Sequence, residues 1–185
     1  MKLYTKKGDG GQTQLGDRST VTKDHPRVAA YGEVDELNAC VGLAAAACDD
    51  AAWSGRLRRV QDRLFVVGAE LADPSRGPQT PTLDDRDITA LEGWIDEASG
   101  AVAPLKNFVL PGGSELAARL HLARTVCRRA ERSVVRLSGD EQADTRAVVF
   151  LNRLGDLLFA WARLANHRRG VEDVLWRPRG DSKDS

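Results

Sequence analysis

The sequence predicts an all-α protein, an antiparallel five-helix bundle with ferritin-like, left-handed packing. Three observations carry this. Apolar residues step by four and three in successive stretches, no run of useful length alternates with period two, and 185 residues suffice for one domain with its own core. The longest seam is Leu116, Leu120, Ala123, Cys127, Ala130, Val134 and Leu137, one side of a helix over Leu116–Leu137 of about six turns. Ser114 is placed to cap it, just after Gly112-Gly113.

The other elements follow in order. A first helix is expected over Pro26–Cys48, with proline tolerated in its first turn and Val28, Tyr31, Val34, Leu37, Val41 and Ala44 on its apolar side. A second, Trp53–Leu71, carries Leu57, Val60, Leu64, Val67 and Leu71. The connector PSRGPQTP leads to Thr82 and Asp85, spaced as a capping box, and a third helix running to Ala98 on Ile88, Leu91, Ile95 and Ala98. The link SGAVAPLKNFVLPGG is too apolar to float free, and Phe108 in it reads on its own as a core plug. Beyond the central helix, Ser138-Gly139-Asp140 reads as a turn. The fifth helix, Asp144–Asn166, buries Ala147, Leu151, Leu154, Leu158, Trp161 and Ala165. The whole of 1–185 reads as a single domain, with a glycine-rich arm over 1–24 and a disordered tail over 179–185.

Two features ask for more than packing. On the central helix, Arg124, Arg128 and Glu131 fall within about 60° of one another at 100° per residue, with Arg129 and Arg132 beside them. Alone, that stripe is as readily a solvated basic face. In the arm, Gly8, Gly10, Gly11 and Gly16 let backbone N–H groups converge on an anion, and Thr5, Lys6, Lys7 and Thr13 add donors. A floppy terminus is the alternative there. On the fifth helix, Asn152, Asp156, Phe159 and Arg163 share a narrow stripe, and Asn152 has no helix-stabilising reason to be there.

Composition excludes several classes. Lys+Arg and Asp+Glu are both 27, so no basic surplus points to nucleic acid, and few aromatics argue against base stacking. Cys40, Cys48 and Cys127 lie inside helical patterns with no CxxC, and read as small buried thiols. No signal-peptide pattern or membrane-length apolar run occurs, so the expectation is a reducing, cytoplasmic setting without membrane contact. HExxH and ExxH are absent, which removes zinc-protease and di-iron readings, and no GxSxG supports a serine nucleophile. Walker A and GxGxxG spacings are missing too. What remains is an anion site, and polyphosphate suits a lysine, arginine forks and backbone N–H groups together.

With these pieces in hand, the chain resembles the ATP:cob(I)alamin adenosyltransferases of the propanediol-utilisation (PduO) type over residues 3–168. The resemblance rests on YTKKGDGGQTQL, KDHPRVAAYGEVDELNACVG, NFVLPGG, ARTVCRRAERSVV and FLNRLGDLLFAWAR, in the family's order. It implies a homotrimer with active sites between subunits, and transfer of the 5′-deoxyadenosyl group of ATP to the cobalt of cob(I)alamin, with Mg²⁺ accompanying the nucleotide. It further implies that Thr5, Lys6, Gly8, Asp9, Gly11, Thr13 and Lys23 wrap ATP, completed by Arg128, Glu131, Arg132 and Asn152. Asp35 of one subunit would pair with Arg124 of the next beside the corrinoid, and Phe108 would cover the lower corrin face. A reductase supplying Co(I) and an enzyme accepting the product would be partners. Glu33 is bulkier than the residue many relatives carry there, which leaves corrinoid contact in that region open. A non-catalytic ATP- or polyphosphate-binding bundle and a purely structural trimer are the other classes, separated from this one by cobalamin-dependent release of triphosphate and by a thermal shift with ATP.

Overall fold

A computed structural model describes residues 4, 6, 8–140 and 145–178, apart from the side chains of 138–140 and 145. Thr5, Lys7 and the tail expected over 179–185 lie outside the described residues. Five helices follow a short hairpin: β1 (Gln12–Gln14), β2 (Thr20–Thr22), α1 (Pro26–Ala46), α2 (Ala51–Ala72), α3 (Asp85–Gly100), α4 (Glu115–Asp140) and α5 (Thr145–Arg168). The helices close a ring. α1 packs on α2 and α4, α4 on α5, and α5 on α3. α3 reaches back to α2 through Arg56–Glu97 at 2.8 Å, with Arg56 and Arg59 lying over the Trp94 ring.

The seams behave as the four-three spacing predicts. Leu120, Ala123, Cys127, Ala130, Val134 and Leu137 of α4 are buried, as are Ala147, Leu151, Leu154, Leu158, Trp161 and Ala165 of α5. Small residues on α4 let α5 approach closely enough for the Cys127 thiol to donate to the Leu151 carbonyl at 3.2 Å. Trp161 seals the α2–α3–α5 corner, edge-on to Trp53 at 5.9 Å and tilted against Trp94 at 5.7 Å. All three cysteines are free; Cys40 and Cys127 are buried and Cys48 is half-buried.

Caps settle the helix ends. Ser114 Oγ accepts from Ala117 N–H, as expected. The capping box of α3 is Asp84 with Asp87, not Thr82 with Asp85: Asp84 accepts from the Asp87 N–H while Asp87 accepts from the Asp84 N–H. An aspartate accepts from its two N–H groups more strongly than a threonine, and Leu83, buried beneath, fixes the register. Ser138-Gly139-Asp140 does not turn the chain, since α4 continues through Asp140; a terminal glycine costs a helix only about 1 kcal/mol.

The hairpin is the element that periodicity missed, because three residues per strand are too few to show alternation. Thr13 pairs with Val21, and the loop between the strands docks on the end of α2. Leu15 is buried there and the Gly16 N–H donates to the Ala72 carbonyl at 2.7 Å. Beside it, Arg27 Nη1 donates to the Leu71 carbonyl at 2.8 Å. The connector after α2 winds around Asp73, which accepts from Ser75 Oγ at 2.6 Å, from the Ser75 and Gly77 N–H groups and from Thr80 Oγ1.

Those donors, Ser75 and Thr80 foremost, lower the Asp73 carboxyl from 3.8 to about 2. A depressed carboxylate favours the folded loop above its unfolded value, and that contribution is lost as pH falls through the folded one. Protection of the Ser75 and Gly77 amides, relative to their intrinsic exchange at each pH, is therefore expected to fall between pH 4 and pH 2, ahead of the helices. An Asp73→Asn variant should lose that acid dependence; unchanged protection at pH 2 would refute the assignment.

Candidate functional site

The arginine stripe stands on the outer side of α4 where α5 passes. Arg128 is exposed, and its stem runs over Gly155, with Cγ 3.9 Å from where a β-carbon at Gly155 would sit. One turn earlier Arg124 is half-buried, its guanidinium 5.9 Å from the centre of the Phe159 ring and its Nε buried without a hydrogen-bond partner. Burial, and then the charge of Arg128, push the Arg124 pKa down, although a guanidinium stays cationic at neutral pH. One turn further on, Glu131 accepts from Asn152 Nδ2 at 3.0 Å. Asn152 in turn accepts from Arg153 Nη1 at 2.9 Å, and Arg153 is held by Glu92 of α3. Asn152, unexplained by helix propensity, thus fixes the Glu131 carboxylate beside two guanidiniums. Arg132 and Arg136 are exposed, while Arg129 turns away to pair with Glu36 of α1.

Beneath Arg124 lies His121, 2% exposed, its ring 6.0 Å from Phe159 and both nitrogens without partners. Burial first, then Arg124, lower its pKa against the opposing pull of Asp173. The imidazole is therefore neutral at pH 7 and adds no charge under the stripe.

In the arm, Lys23 lies across the turn at Gly8, with Cε and Nζ each 3.3 Å from where a Gly8 β-carbon would be. Its backbone N–H donates to the Gly11 carbonyl at 2.9 Å, and Gly11 N–H donates to Gly8 at 3.2 Å. Lys6, Asp9 and Lys23 are exposed and Thr13 is half-buried. Gly8, Gly11 and Lys23 therefore meet in one turn beside the hairpin. Among the described residues no hydrogen bond or ion pair joins this turn to the stripe on α4. Nor does one join Asp35, exposed on α1, to Arg124 of the same chain. Within one chain, the described residues of the arm and of the stripe share no direct bond.

Phe108 is not a core plug. Its side chain is 77% exposed and meets Trp176 edge-on at 6.3 Å. The backbone holds it out: Val109 bridges Leu175, with Leu110 N–H donating to Val174 and Trp176 N–H donating to Phe108, both at 2.8 Å. Val109 and Leu175 face a cleft of ≈ 640 Å³ reaching Lys106, Arg163 and His167, while Phe108 and Trp176 project from the other side of the bridge. The tail reaches this position because α5 ends in a Schellman turn. Val171 N–H donates to Asn166 and Gly170 N–H to His167, each at 3.0 Å, with Gly170 at φ +66°.

Sequence reasoning singled out neither Asn166, Asp173 nor Trp176. Asn166 extends the Phe159–Arg163 stripe by three residues and was open to that reading; Asp173 and Trp176, in an irregular tail, give no local signal.

The solved structures most informative for this arrangement are two variants of a PduO-type ATP:corrinoid adenosyltransferase from Lactobacillus reuteri. A phenylalanine-to-alanine variant complexed with cobalamin and ATP superposes with a TM-score of 0.92 at 41% identity, covering 96% of this chain and 100% of the other. An arginine-to-lysine variant complexed with ATP gives 0.90 at 41% identity, covering 95% and 100%. Fold and sequence together therefore define a helical-bundle adenosyltransferase. The cobalamin adenosyltransferase family model matches residues 3–165, and this chain belongs to that family. Among curated relatives, the corrinoid adenosyltransferase of Mycobacterium tuberculosis is 45% identical over 186 residues, covering 97% of this chain and 95% of the relative. That of Bacillus subtilis is 43% identical, covering 94% and 91%. The corrinoid adenosyltransferase PduO of Citrobacter freundii is 44% identical, covering 95% of this chain and 53% of the relative; beside that longer protein the chain spans about half the length.

Proposed function

We propose that this chain transfers the 5′-deoxyadenosyl group of ATP to the cobalt of cob(I)alamin. The cobalt(I) electron pair attacks C5′, a Co–C bond forms as the C5′–O bond breaks, and the pair from that bond leaves on inorganic triphosphate. Cobalt ends as Co(III) in adenosylcobalamin. The metal is itself a strong nucleophile, so no general base is needed, and the neutral, buried His121 is in keeping with that. What remains for the protein is to align C5′ with cobalt and to stabilise the triphosphate as charge develops.

The observation that carries this reading is the α4–α5 stripe. An exposed guanidinium at Arg128, a fixed carboxylate at Glu131 and the amide of Asn152 stand together on rigid helices. Arg128 and Arg132 would hold phosphate oxygens, and the turn of Lys6, Gly8, Asp9, Gly11, Thr13 and Lys23, with Thr5, would wrap the nucleotide. Mg²⁺ fits as a companion of the triphosphate. No three His, Cys, Asp or Glu side chains converge among the described residues, and Mg²⁺ keeps waters and phosphate oxygens rather than requiring a protein cage. Glu131 is the stripe carboxylate that would face it, and the ion supplies charge neutralisation when bound.

We assign the complete site to the boundary between subunits of a homotrimer, as the family resemblance implies. There Asp35 of one subunit would pair with Arg124 of the next. Arg124 is only half-buried and has no ion-pair partner among the described residues, which leaves its charge to be met from outside the chain. No described helix is long and apolar enough to cross a membrane, and the free thiols accord with a cytoplasmic location, where a reductase would supply Co(I) and an acceptor enzyme would take the product.

Anaerobic incubation with ATP and chemically reduced cob(I)alamin tests the reaction. Conversion of the Co(I) absorbance to that of the adenosylated form, with stoichiometric triphosphate, is expected; ATP binding without conversion would leave only a nucleotide-binding bundle. Sedimentation should give about three times the 20.1 kDa chain. A fully active monomer would refute the shared site.

A further inference from the structure

The residues that hold Phe108 in place lie outside the site proposed above. α5 presents Arg163 and Asn166 toward the two irregular segments flanking Phe108. Asn166, 3% exposed, donates through Nδ2 to the Gly112 carbonyl at 3.1 Å and to Asp173 Oδ1 at 3.4 Å, and accepts through Oδ1 from Ser114 N–H at 2.8 Å. Gly113, at φ +102°, has no room for a side chain, since a β-carbon there would clash with the Asn166 carboxamide. Arg163 donates through Nε to Asp173 Oδ2 at 2.7 Å and through Nη2 to the Ala103 carbonyl at 2.8 Å, its side chain 12% and that of Asp173 17% exposed.

Asp173 is therefore the joint. It ties the tail that carries Trp176 to both α5 residues, and these grip the Phe108 segment at its start (Ala103) and its end (Gly112). The bridge at Val109–Leu175 lies between those anchors. An aromatic ring that is 77% exposed makes too few contacts to orient itself, so its direction must come from the backbone beneath it. A paired, largely desolvated carboxylate is also costly to strand, which makes the joint hold one geometry.

We infer that Asp173, with Arg163 and Asn166, is a positioning residue that aims Phe108 at the corrinoid through the Val109–Leu175 bridge. The inference rests on the adenosyltransferase reading for its kinetic consequence but not for its structural one, and two measurements separate them. The first is amide exchange at Leu110 and Trp176, the two bridge donors, in wild type, Asp173→Ala and Asp173→Glu. Exchange is expected to speed up about tenfold or more in Asp173→Ala, equivalent to about 1.4 kcal/mol of local opening, with α1–α5 unchanged and partial recovery in Asp173→Glu. The second is activity from Co(II) with a reductant against activity from pre-formed cob(I)alamin, in Phe108 and Phe108→Ala backgrounds.

Asp173→Ala should lose the Co(II) route selectively and add nothing further once Phe108 is gone. Unchanged exchange at Leu110 and Trp176, or an equal loss in the Phe108→Ala background, would overturn the inference. Wild type that never adenosylates cobalamin would overturn the proposed reaction and the kinetic role together, while the exchange experiment still decides the joint. Asp173 lies beyond α5, so the helices are expected to fold without it, and the melting curve of each variant checks this.

Discussion

Phe108→Ala is expected to fold, to bind ATP as wild type does, and to lose activity from Co(II) at least about tenfold more than activity from cob(I)alamin, a difference of about 1.4 kcal/mol or more. Folding is spared because the ring is 77% exposed and its truncation opens no core cavity. ATP binding is spared because Phe108 touches Trp176, and the proposed phosphate donors stand elsewhere on α4 and in the arm. The selective loss follows if Phe108 lies against the lower corrin face, as the family resemblance implies. An apolar ring there would displace the benzimidazole ligand without offering another, and removing that ligand makes Co(II) easier to reduce. Pre-formed Co(I) has already passed the step. Equal losses by both routes would mean that Phe108 only packs.

Arg128→Ala is expected to lower kcat/KM by about 30- to 1,000-fold, or about 2–4 kcal/mol, from lost stabilisation of the departing triphosphate. Arg128 is exposed, unencumbered by an ion pair among those described, and backed by the space over Gly155. Lysine at 128 should restore part of the loss, since an ammonium cannot reproduce the planar two-pronged fork. Arg124 should fail differently. Its guanidinium is partly desolvated over Phe159, so removing it, or its proposed partner Asp35, strands a charge in the subunit seam and raises chiefly the corrinoid KM. The exchange Asp35→Arg with Arg124→Asp should recover part of that, whereas Asp35→Arg should act independently of Arg128→Ala. The same kinetic defect from both arginines, without rescue by the exchange, would refute the division of roles.

The sequence by itself determined the helices and their buried faces, because a four-three seam is a local property that survives whatever the helix packs against. It also determined that Arg124, Arg128 and Glu131 share one stripe, since helical geometry places them there in any fold. Tertiary structure decided the rest. That Asn152 serves Glu131 depends on how α5 lies along α4. That the arm docks as a hairpin depends on Gly16 meeting the free carbonyl of Ala72 at the end of α2. Phe108 is the sharpest case, for a phenylalanine in an apolar link reads locally as core. It stays exposed because its backbone is pinned from outside, by a tail that Gly170 turns back and that Arg163 and Asn166 hold through Asp173. Those partners lie some sixty residues away in the chain, and only the folded bundle brings them together.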